Sequence, residues 1–164
     1  MNGRARVFGD DINTDYIITS RRKRESIAPE YLRDYLFEEL DPGFASTLLP
    51  TDFLVAGKNF GCGSAMEVAV TAVVGAGIRA VIASTFSRTY YRNAVNNGLI
   101  PILCDTSSIR EGDILEIDWA SKAEVRNLTQ GSVLRAEPID GIMQNILAAG
   151  GLVPYFRLHG GFQL

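Results

Sequence analysis

Short apolar runs and helical segments alternate between residues 53 and 104. The runs predict strands and the segments between them predict helices, in the order Phe53 to Ala56, Ala65 to about Ala76, Ile78 to Ala83, Ser87 to Asn97 and Ile100 to Cys104. Because the strands are apolar throughout, both of their faces are expected to be covered. The order therefore predicts a parallel βαβαβ core of an α/β domain.

Weaker patterns precede this core. Arg4 to Phe8 predicts a short strand, and Tyr16 to Thr19 forms a second β-branched run. Pro29 suits the first turn of a helix that extends to about Leu40, with its apolar residues spaced along one face. A cationic segment, Arg21-Arg22-Lys23-Arg24, lies between the run and the helix, and we expect it to form a loop.

The C-terminal third has a different pattern. Partial alternation predicts half-exposed antiparallel strands at Ile114 to Asp118, Ala123 to Asn127 and Val133 to Ala136. Asp140 can cap a last helix from Gly141 to Ala149. The tail, Phe162-Gln163-Leu164, either packs on a partner or is loose. The whole chain, residues 1–164, is expected to form one domain.

Composition limits the chemistry that this chain can perform alone. It has one histidine and two cysteines, so a His-rich or Cys-rich metal site is not expected within it. A net charge of −3 gives no general attraction to nucleic acid or to an anionic membrane. The start lacks the apolar region of a secretory signal, and no stretch approaches the roughly 18 apolar residues of a membrane span. We expect a cytoplasmic protein whose cysteines, Cys62 and Cys104, are structural thiols.

The glycine-rich segment from Gly57 to Glu67 connects a predicted strand to a predicted helix. Ser64 and Glu67 match Ser-x-x-Glu, the capping box of a helix start. The same segment also suits a ligand site, because glycines allow close approach and a helix start offers free N–H groups to a carboxylate or phosphate. A serine in this position can lie beside a reacting carbon, so both interpretations of Ser64 stay open.

Other familiar motifs do not match this segment. Met66 stands where Gly-x-Gly-x-x-Gly and the Gly-x-Ser-x-Gly elbow both require a glycine. The Gly-Lys-Ser/Thr of a phosphate loop is missing at the helix start. His159, near the C-terminus, is expected to be a surface or interface residue rather than a catalytic base.

Two polar segments near the N-terminus are further candidates. Residues 9–15, Gly-Asp-Asp-Ile-Asn-Thr-Asp, have the composition of a turn whose side chains bond their own backbone. Asp15 precedes an apolar run, and a carboxylate that points inward there needs a partner. The cationic segment is either a solvated charge run or a loop over a site, where its arginines would favour a di- or tricarboxylate.

Three segments together resemble the small, swivelling-domain subunits of the aconitase superfamily, especially 3-isopropylmalate dehydratase small subunits and their homoaconitase and dimethylmalate-dehydratase relatives. The segments are Gly9 to Ile18, Gly57 to Ser64 and Phe86 to Ala94, and they occur in the order of that family. The resemblance implies a swivelling β/β/α domain. It also implies a heterodimer or heterotetramer with a large subunit that carries a [4Fe–4S] cluster, with no cofactor in this chain.

The resemblance also implies roles for individual residues. Ser64 matches the serine whose alkoxide removes the proton alpha to a carboxylate, with the amides of Ala65 and Met66 expected to stabilise the anion. Asp15 matches an aspartate of the acid–base network. The remaining matches fall at substrate-binding positions, namely Thr14, Arg21, Arg22, Lys23, Arg24, Gly63 and Ala65.

One departure from the family pattern affects specificity. The family continues Ser-Ser-Arg-Glu where this chain has Ser64-Ala65-Met66-Glu67, so the arginine that grips a substrate carboxylate is replaced by Met66. Either a cation from residues 22–24 binds the substrate carboxylate in place of that arginine, or the substrate itself differs at the end near Met66. The substrate stays open among isopropylmalate, dimethylmalate, maleate and homocitrate types, and a non-catalytic binding or regulatory relative is the alternative.

Overall fold

The computed structural model describes residues 1–162, and their strands form one seven-stranded mixed sheet. The strands are β1 (Asn2–Val7), β2 (Phe53–Ala56), β3 (Ala80–Ala83), β4 (Ile100–Leu103), β5 (Ile114–Asp118), β6 (Glu124–Asn127) and β7 (Ser132–Arg135). Their order across the sheet is β4-β3-β2-β1-β5-β6-β7. The α/β fold with a mixed parallel and antiparallel sheet is therefore confirmed.

Short helices lie between the strands and after the last strand. They are α1 (Thr14–Ile17), α2 (Ser20–Glu25), α3 (Pro29–Leu32), α4 (Phe44–Thr47), α5 (Val68–Gly75), α6 (Arg88–Asn96), α7 (Gly141–Ala148) and α8 (Leu152–His159). A 3₁₀ turn at Arg33–Tyr35 extends α3. Within the described residues, none of these helices is both long and apolar enough to cross a membrane.

Strand β1 joins the two halves of the sheet. It pairs in parallel with β2 and antiparallel with β5. The order β2–α5–β3–α6–β4 forms the parallel half, and β5, β6 and β7 form the antiparallel half. Both halves agree with the predicted core and its flanking strands.

Alternate residues of the central strands enter two separate hydrophobic clusters. In β2, Leu54 and Ala56 belong to the first cluster, whereas Phe53 and Val55 belong to the second. This is the two-residue period of a strand, with both faces buried. The first cluster includes α3 and α5, and the second includes α7 and Tyr155 of α8.

The two outer strands meet at one corner of the sheet. Cys104, directly after β4, forms an antiparallel bridge with Ala136, directly after β7. The N–H of Glu137 donates to the carbonyl of Leu103 at 2.8 Å. Cys104 is buried, as expected, and burial raises the pKa of its thiol to about 12.

The segment before the core differs most from the sequence prediction. The run at Tyr16 to Thr19 is not a strand, because Asn13 caps the short helix α1 instead. The cationic segment is helical rather than a loop. The helix predicted to reach Leu40 ends much earlier, since Phe37 has a φ of +58° and packs its ring 4.3 Å from that of Phe8.

The C-terminal region contains one helix that the sequence pattern did not predict. Asp140 caps α7 as expected, its side chain accepting from the N–H of Ile142. Helix α8 then follows Gly151 and buries Tyr155. Phe162 packs its ring 4.8 Å from that of Phe156, whereas the last two residues of the predicted tail, Gln163 and Leu164, lie outside the described residues.

Candidate active site

Two turns lie side by side at the carboxyl ends of β1 and β2, and we call them the acidic turn (residues 9–15) and the glycine turn (residues 57–64). The strands are parallel, so both turns leave the same edge of the sheet. Backbone N–H groups join them, from Asp11 to the carbonyl of Lys58, from Gly61 to that of Ile12 and from Thr14 to that of Cys62, each at 2.8 Å. The two turns are thus one structural unit.

Thr14 connects this unit directly to Ser64. Its side chain is 2% exposed, and its hydroxyl donates to the carbonyl oxygen of Ser64 at 2.9 Å. The structure therefore brings Thr14 to the backbone of Ser64, with its hydroxyl turned into the protein rather than toward solvent.

Two glycines allow the turns to approach so closely. Gly63 has a φ of +89°, and a Cβ on it would lie 2.6 Å from the side-chain amide of Asn13. Gly61 has a φ of +76°, and a Cβ there would lie 2.2 Å from the ring of Tyr90. Any larger residue would force apart the contacts that place Ser64.

Ser64 is exposed and does not cap a helix, so the capping-box interpretation is wrong. Helix α5 begins only at Val68, and the carboxylate of Glu67 instead accepts from the side-chain amide of Asn97 at 3.2 Å. The physical reason is Met66, whose side chain is 5% exposed and belongs to the first hydrophobic cluster. Burying it turns the chain between Ser64 and the helix.

The backbone around Ser64 has free donors. The N–H of Met66 donates to the carbonyl of Ser64 at 2.8 Å, so it is not available to the serine side chain as we expected. Among residues 1–162, no acceptor is found for the N–H groups of Gly63, Ser64 and Ala65. All three residues are exposed, so these amides can bind an anion from outside.

Asp15 has the partner that its position requires. The carboxylate is half-buried, and its Oδ1 accepts from the hydroxyl of Ser20 at 2.7 Å and from the N–H of Ser20 at 3.1 Å. The same hydroxyl lies 3.8 Å from the sulfur of Met66. Ser20 therefore links Asp15, Met66 and the start of α2, and no local sequence signal indicated it.

The four cations of α2 are not equivalent. Arg22 binds Glu38 and Glu25, and Arg21 lies 3.6 Å from Glu38 while its side chain stays 60% exposed. In the described part of the chain, Lys23 and Arg24 are exposed and form no ion pair. The structure thus brings the helix to the site but occupies the guanidinium of Arg22 within the protein.

The cysteines and the histidine lie apart from one another. Cys62 is half-buried in the glycine turn, Cys104 is buried beyond β4, and His159 is exposed on α8. Residues 1–162 contain no group of three or more histidine, cysteine, aspartate or glutamate side chains arranged to hold a metal ion. An iron–sulfur cluster needs several thiolates, so the described residues do not fit one.

Comparison with known proteins supports a single family. A model of the aconitase C-terminal domain matches residues 47–107. The chain is 47% identical to the 3-isopropylmalate dehydratase small subunit 2 of Archaeoglobus fulgidus, covering 100% of this chain and 99% of the relative. It is 44% identical to the methanogen homoaconitase small subunit of Methanocaldococcus jannaschii, covering 96% and 91% of the two chains.

A solved structure is also similar to this chain over nearly its whole length. The crystal structure of 3-isopropylmalate dehydratase (leuD) from Methanocaldococcus jannaschii superposes with a TM-score of 0.93 at 43% identity. The match covers 97% of this chain and 94% of that one. The chain therefore belongs to the aconitase family, among the 3-isopropylmalate dehydratase small subunits and their close hydro-lyase relatives.

Proposed function

We propose that residues 1–164 form one swivelling domain that supplies the proton-transferring serine and the substrate-selecting cations of a cytoplasmic hydro-lyase. The reaction is the dehydration and rehydration of a hydroxy-dicarboxylic or tricarboxylic acid. The observation that carries the proposal is the unit formed by the two turns, which exposes Ser64 beside three amides that have no acceptor among residues 1–162, with Asp15 on the adjacent turn.

The partner is a large subunit. Relatives of this chain bear small-subunit names, which imply one. We propose that the large subunit carries a [4Fe–4S] cluster, because the described residues of this chain have no ligand set for it. When bound there, such a cluster supplies a Lewis acid toward the hydroxyl and a carboxylate of the substrate.

Ser64 is the base in this proposal. Its Oγ, as an alkoxide, accepts the proton from the carbon alpha to a substrate carboxylate. A free serine is too weak a base, so its anion needs donors nearby, and the unpaired amides of Gly63, Ser64 and Ala65 are the available ones. Thr14 fixes the backbone of Ser64, and Asp15 fixes the start of α2 through Ser20.

The substrate carboxylates are bound by the exposed cations of α2. Arg21, Lys23 and Arg24 extend from the helix, whereas Met66 is buried beneath Ser20 and offers no charge. Three cations on one helix favour a substrate with at least two carboxylates. A panel of isopropylmalate, dimethylmalate, maleate and homocitrate, tested with the assembled enzyme, identifies the substrate.

The serine assignment is tested with Ser64→Ala in the complex reconstituted with the large subunit. We expect turnover to be abolished while the subunits still assemble, because the hydroxyl forms no hydrogen bond within the described structure. Ser108→Ala is a matched control, since Ser108 is also exposed but lies between β4 and β5. Full turnover by Ser64→Ala excludes the serine as the base.

A non-catalytic relative is the second candidate, and the burial of Met66 favours it. The family arginine is missing at this position, and the structure leaves Met66 only 5% exposed. If the assembled complex turns over none of the acids, and Met66→Arg restores turnover, the wild-type chain is a binding or regulatory subunit. If Met66→Arg leaves the substrate profile unchanged, Met66 has no role in specificity.

A further inference from the structure

Helix α2 has no apolar anchor. None of its six residues is buried, and four consecutive ones are cationic. Like charges one turn apart destabilise a helix, and a helix this short is not stable by itself. Its position beside the acidic turn must therefore come from polar contacts with other parts of the chain.

Most of these contacts converge on Arg22. Its Nε donates to one carboxylate oxygen of Glu38 at 3.0 Å, and its Nη2 donates to the other at 2.9 Å. Its Nη1 donates to Glu25 at 3.0 Å, and the guanidinium lies 3.6 Å from the centroid of the Tyr35 ring. A bidentate pair with a stacked ring fixes the plane of the guanidinium as well as its position.

The surrounding groups complete the same attachment. The hydroxyl of Thr19, which caps α2, donates to Glu38 at 3.3 Å, and the hydroxyl of Tyr31 donates to Glu25. The hydrogen bond from Arg22 holds the pKa of Glu38 below its usual range, so this carboxylate is charged at neutral pH. The side chains of Arg22 and Glu38 are only 19% and 15% exposed, which shields the pair from solvent.

The first residue of α2, Ser20, attaches the helix to the candidate site through Asp15. Residues four apart share a helix face, so Arg24 lies on the side of Ser20, while Arg22 is turned toward Glu38. The attachment at Glu38 thus determines where the remaining cations of α2 stand relative to Ser64.

We propose that Arg22 is a positioning residue that locks α2 against Glu38, and so sets the substrate affinity of the exposed cations without binding substrate itself. This inference rests on the proposed function, because it concerns the same site. Neighbouring cations then have different roles. Arg22 is bound within the chain, whereas Arg21, whose side chain is 60% exposed and 3.6 Å from Glu38, stays available to the ligand with Lys23 and Arg24.

Trypsin digestion of the full-length chain tests the attachment without any activity measurement. Arg22→Gln and Glu38→Gln each free the helix, so cleavage after residues 21, 23 and 24 should accelerate about tenfold or more. Arg33→Gln is the control, because the side chain of Arg33 is 52% exposed and, within residues 1–162, its ion pair is with the neighbouring Asp34 at 3.6 Å. Unchanged cleavage in both variants overturns the proposal.

Kinetics of the assembled enzyme test the role in binding. We expect both variants to raise KM about tenfold while kcat changes less than about twofold, because Ser64 keeps its own contacts. Arg22→Lys, which keeps a cation beside Glu25 and Glu38 but loses the bidentate fork, should recover part of the affinity. A raised KM in Arg22→Gln with a normal KM in Glu38→Gln would show that Arg22 binds substrate directly, which contradicts the proposal.

The two proposals fail separately. If Ser64→Ala retains turnover, the catalytic assignment is wrong, and the cleavage experiment still decides whether Arg22 holds α2. If Ser64→Ala is inactive but both α2 variants have wild-type KM and cleavage, the proposed function stands and the role of Arg22 is wrong.

Discussion

Thr14→Val is the sharpest test of the connection between the two turns. Valine has the shape of threonine but cannot donate to the carbonyl of Ser64, a bond of 2.9 Å from a side chain that is 2% exposed. An internal hydrogen bond contributes about 1 kcal/mol net, and water can reach the exposed Ser64 to replace it. The free energy of unfolding should fall by about 1 kcal/mol, which lowers Tm by about 3 °C in a chain of this size.

The effect on turnover should be larger than the effect on stability. Without this bond the backbone of Ser64 shifts, and a displacement of about 1 Å at a reacting group can cost on the order of 100-fold in rate. We expect kcat of the assembled enzyme to fall on the order of 10- to 100-fold, measured at saturating substrate alongside urea unfolding of the isolated chain.

Thr106→Val is the matched control for this prediction. Thr106 is 7% exposed, and its hydroxyl donates to the carbonyl of Ala56 at 2.7 Å, so the variant loses a bond of the same kind. It also loses the hydrogen bond between the hydroxyls of Thr106 and Ser84 at 2.9 Å, so it should lose at least as much stability as Thr14→Val and keep its turnover. Equal losses of turnover in the two variants, or wild-type turnover in Thr14→Val, would refute a positioning role for Thr14.

Three further predictions concern other features of the fold. Gly61→Ala should cost at least about 2 kcal/mol of unfolding free energy, because its Cβ would lie 2.2 Å from a buried tyrosine ring, whereas Gly131→Ala, with a φ of +70° and open space, should cost about 1 kcal/mol. A thiol reagent at pH 8 should modify half-buried Cys62 before Cys104, whose burial raises its pKa to about 12, and mass spectrometry of the labelled peptides checks the order. The pKa of Glu38 is lowered by Arg22, with Arg21 and Thr19 acting in the same direction, so its contribution to stability is complete above the ordinary carboxyl pKa and is lost as pH falls through the lowered value. The hydrogen-exchange protection factors of residues 20–25 should fall as the pH drops through that lowered value, and Glu38→Gln should remove this dependence on pH.

The sequence predicted the parallel core because its strands have a simple physical signature. Residues 53–56 and 80–83 are buried on both faces, and such strands are continuous apolar runs in any context. The antiparallel strands were predicted as well, although the predicted start of β6 was one residue early and the predicted bounds of β7 were both one residue late.

The region before the core was predicted poorly because distant contacts decide its shape. The expected helix ends before Phe37, whose ring packs against that of Phe8, just after β1. The sequence around residue 37 does not indicate this contact with a residue so far away in the chain. Ile17 and Ile18 are buried, as a β-branched run suggests, but Asn13 caps a helical turn over them.

In the candidate site, too, local motifs could be predicted from the sequence and long-range contacts could not. The motifs around Ser64 and Asp15 were visible in the sequence, and the structure places them on adjacent turns. The partners of Arg22 were not visible, since Glu38 lies sixteen residues away in a segment expected to be helical. Of the two interpretations of Ser64, the capping box was wrong, because Met66 is buried and helix α5 begins only at Val68.

The joining of the two turns also has a consequence for how the protein acquires activity. Thr14 and Ser64 are fifty positions apart and meet only when β1 has paired with β2. Parallel pairing over such a separation forms slowly, because a long loop must close before any contact compensates for the lost entropy. A collapsed chain whose central strands are unpaired has no assembled site, so recovery of turnover during refolding, measured with the large subunit in excess, should report the completion of the sheet.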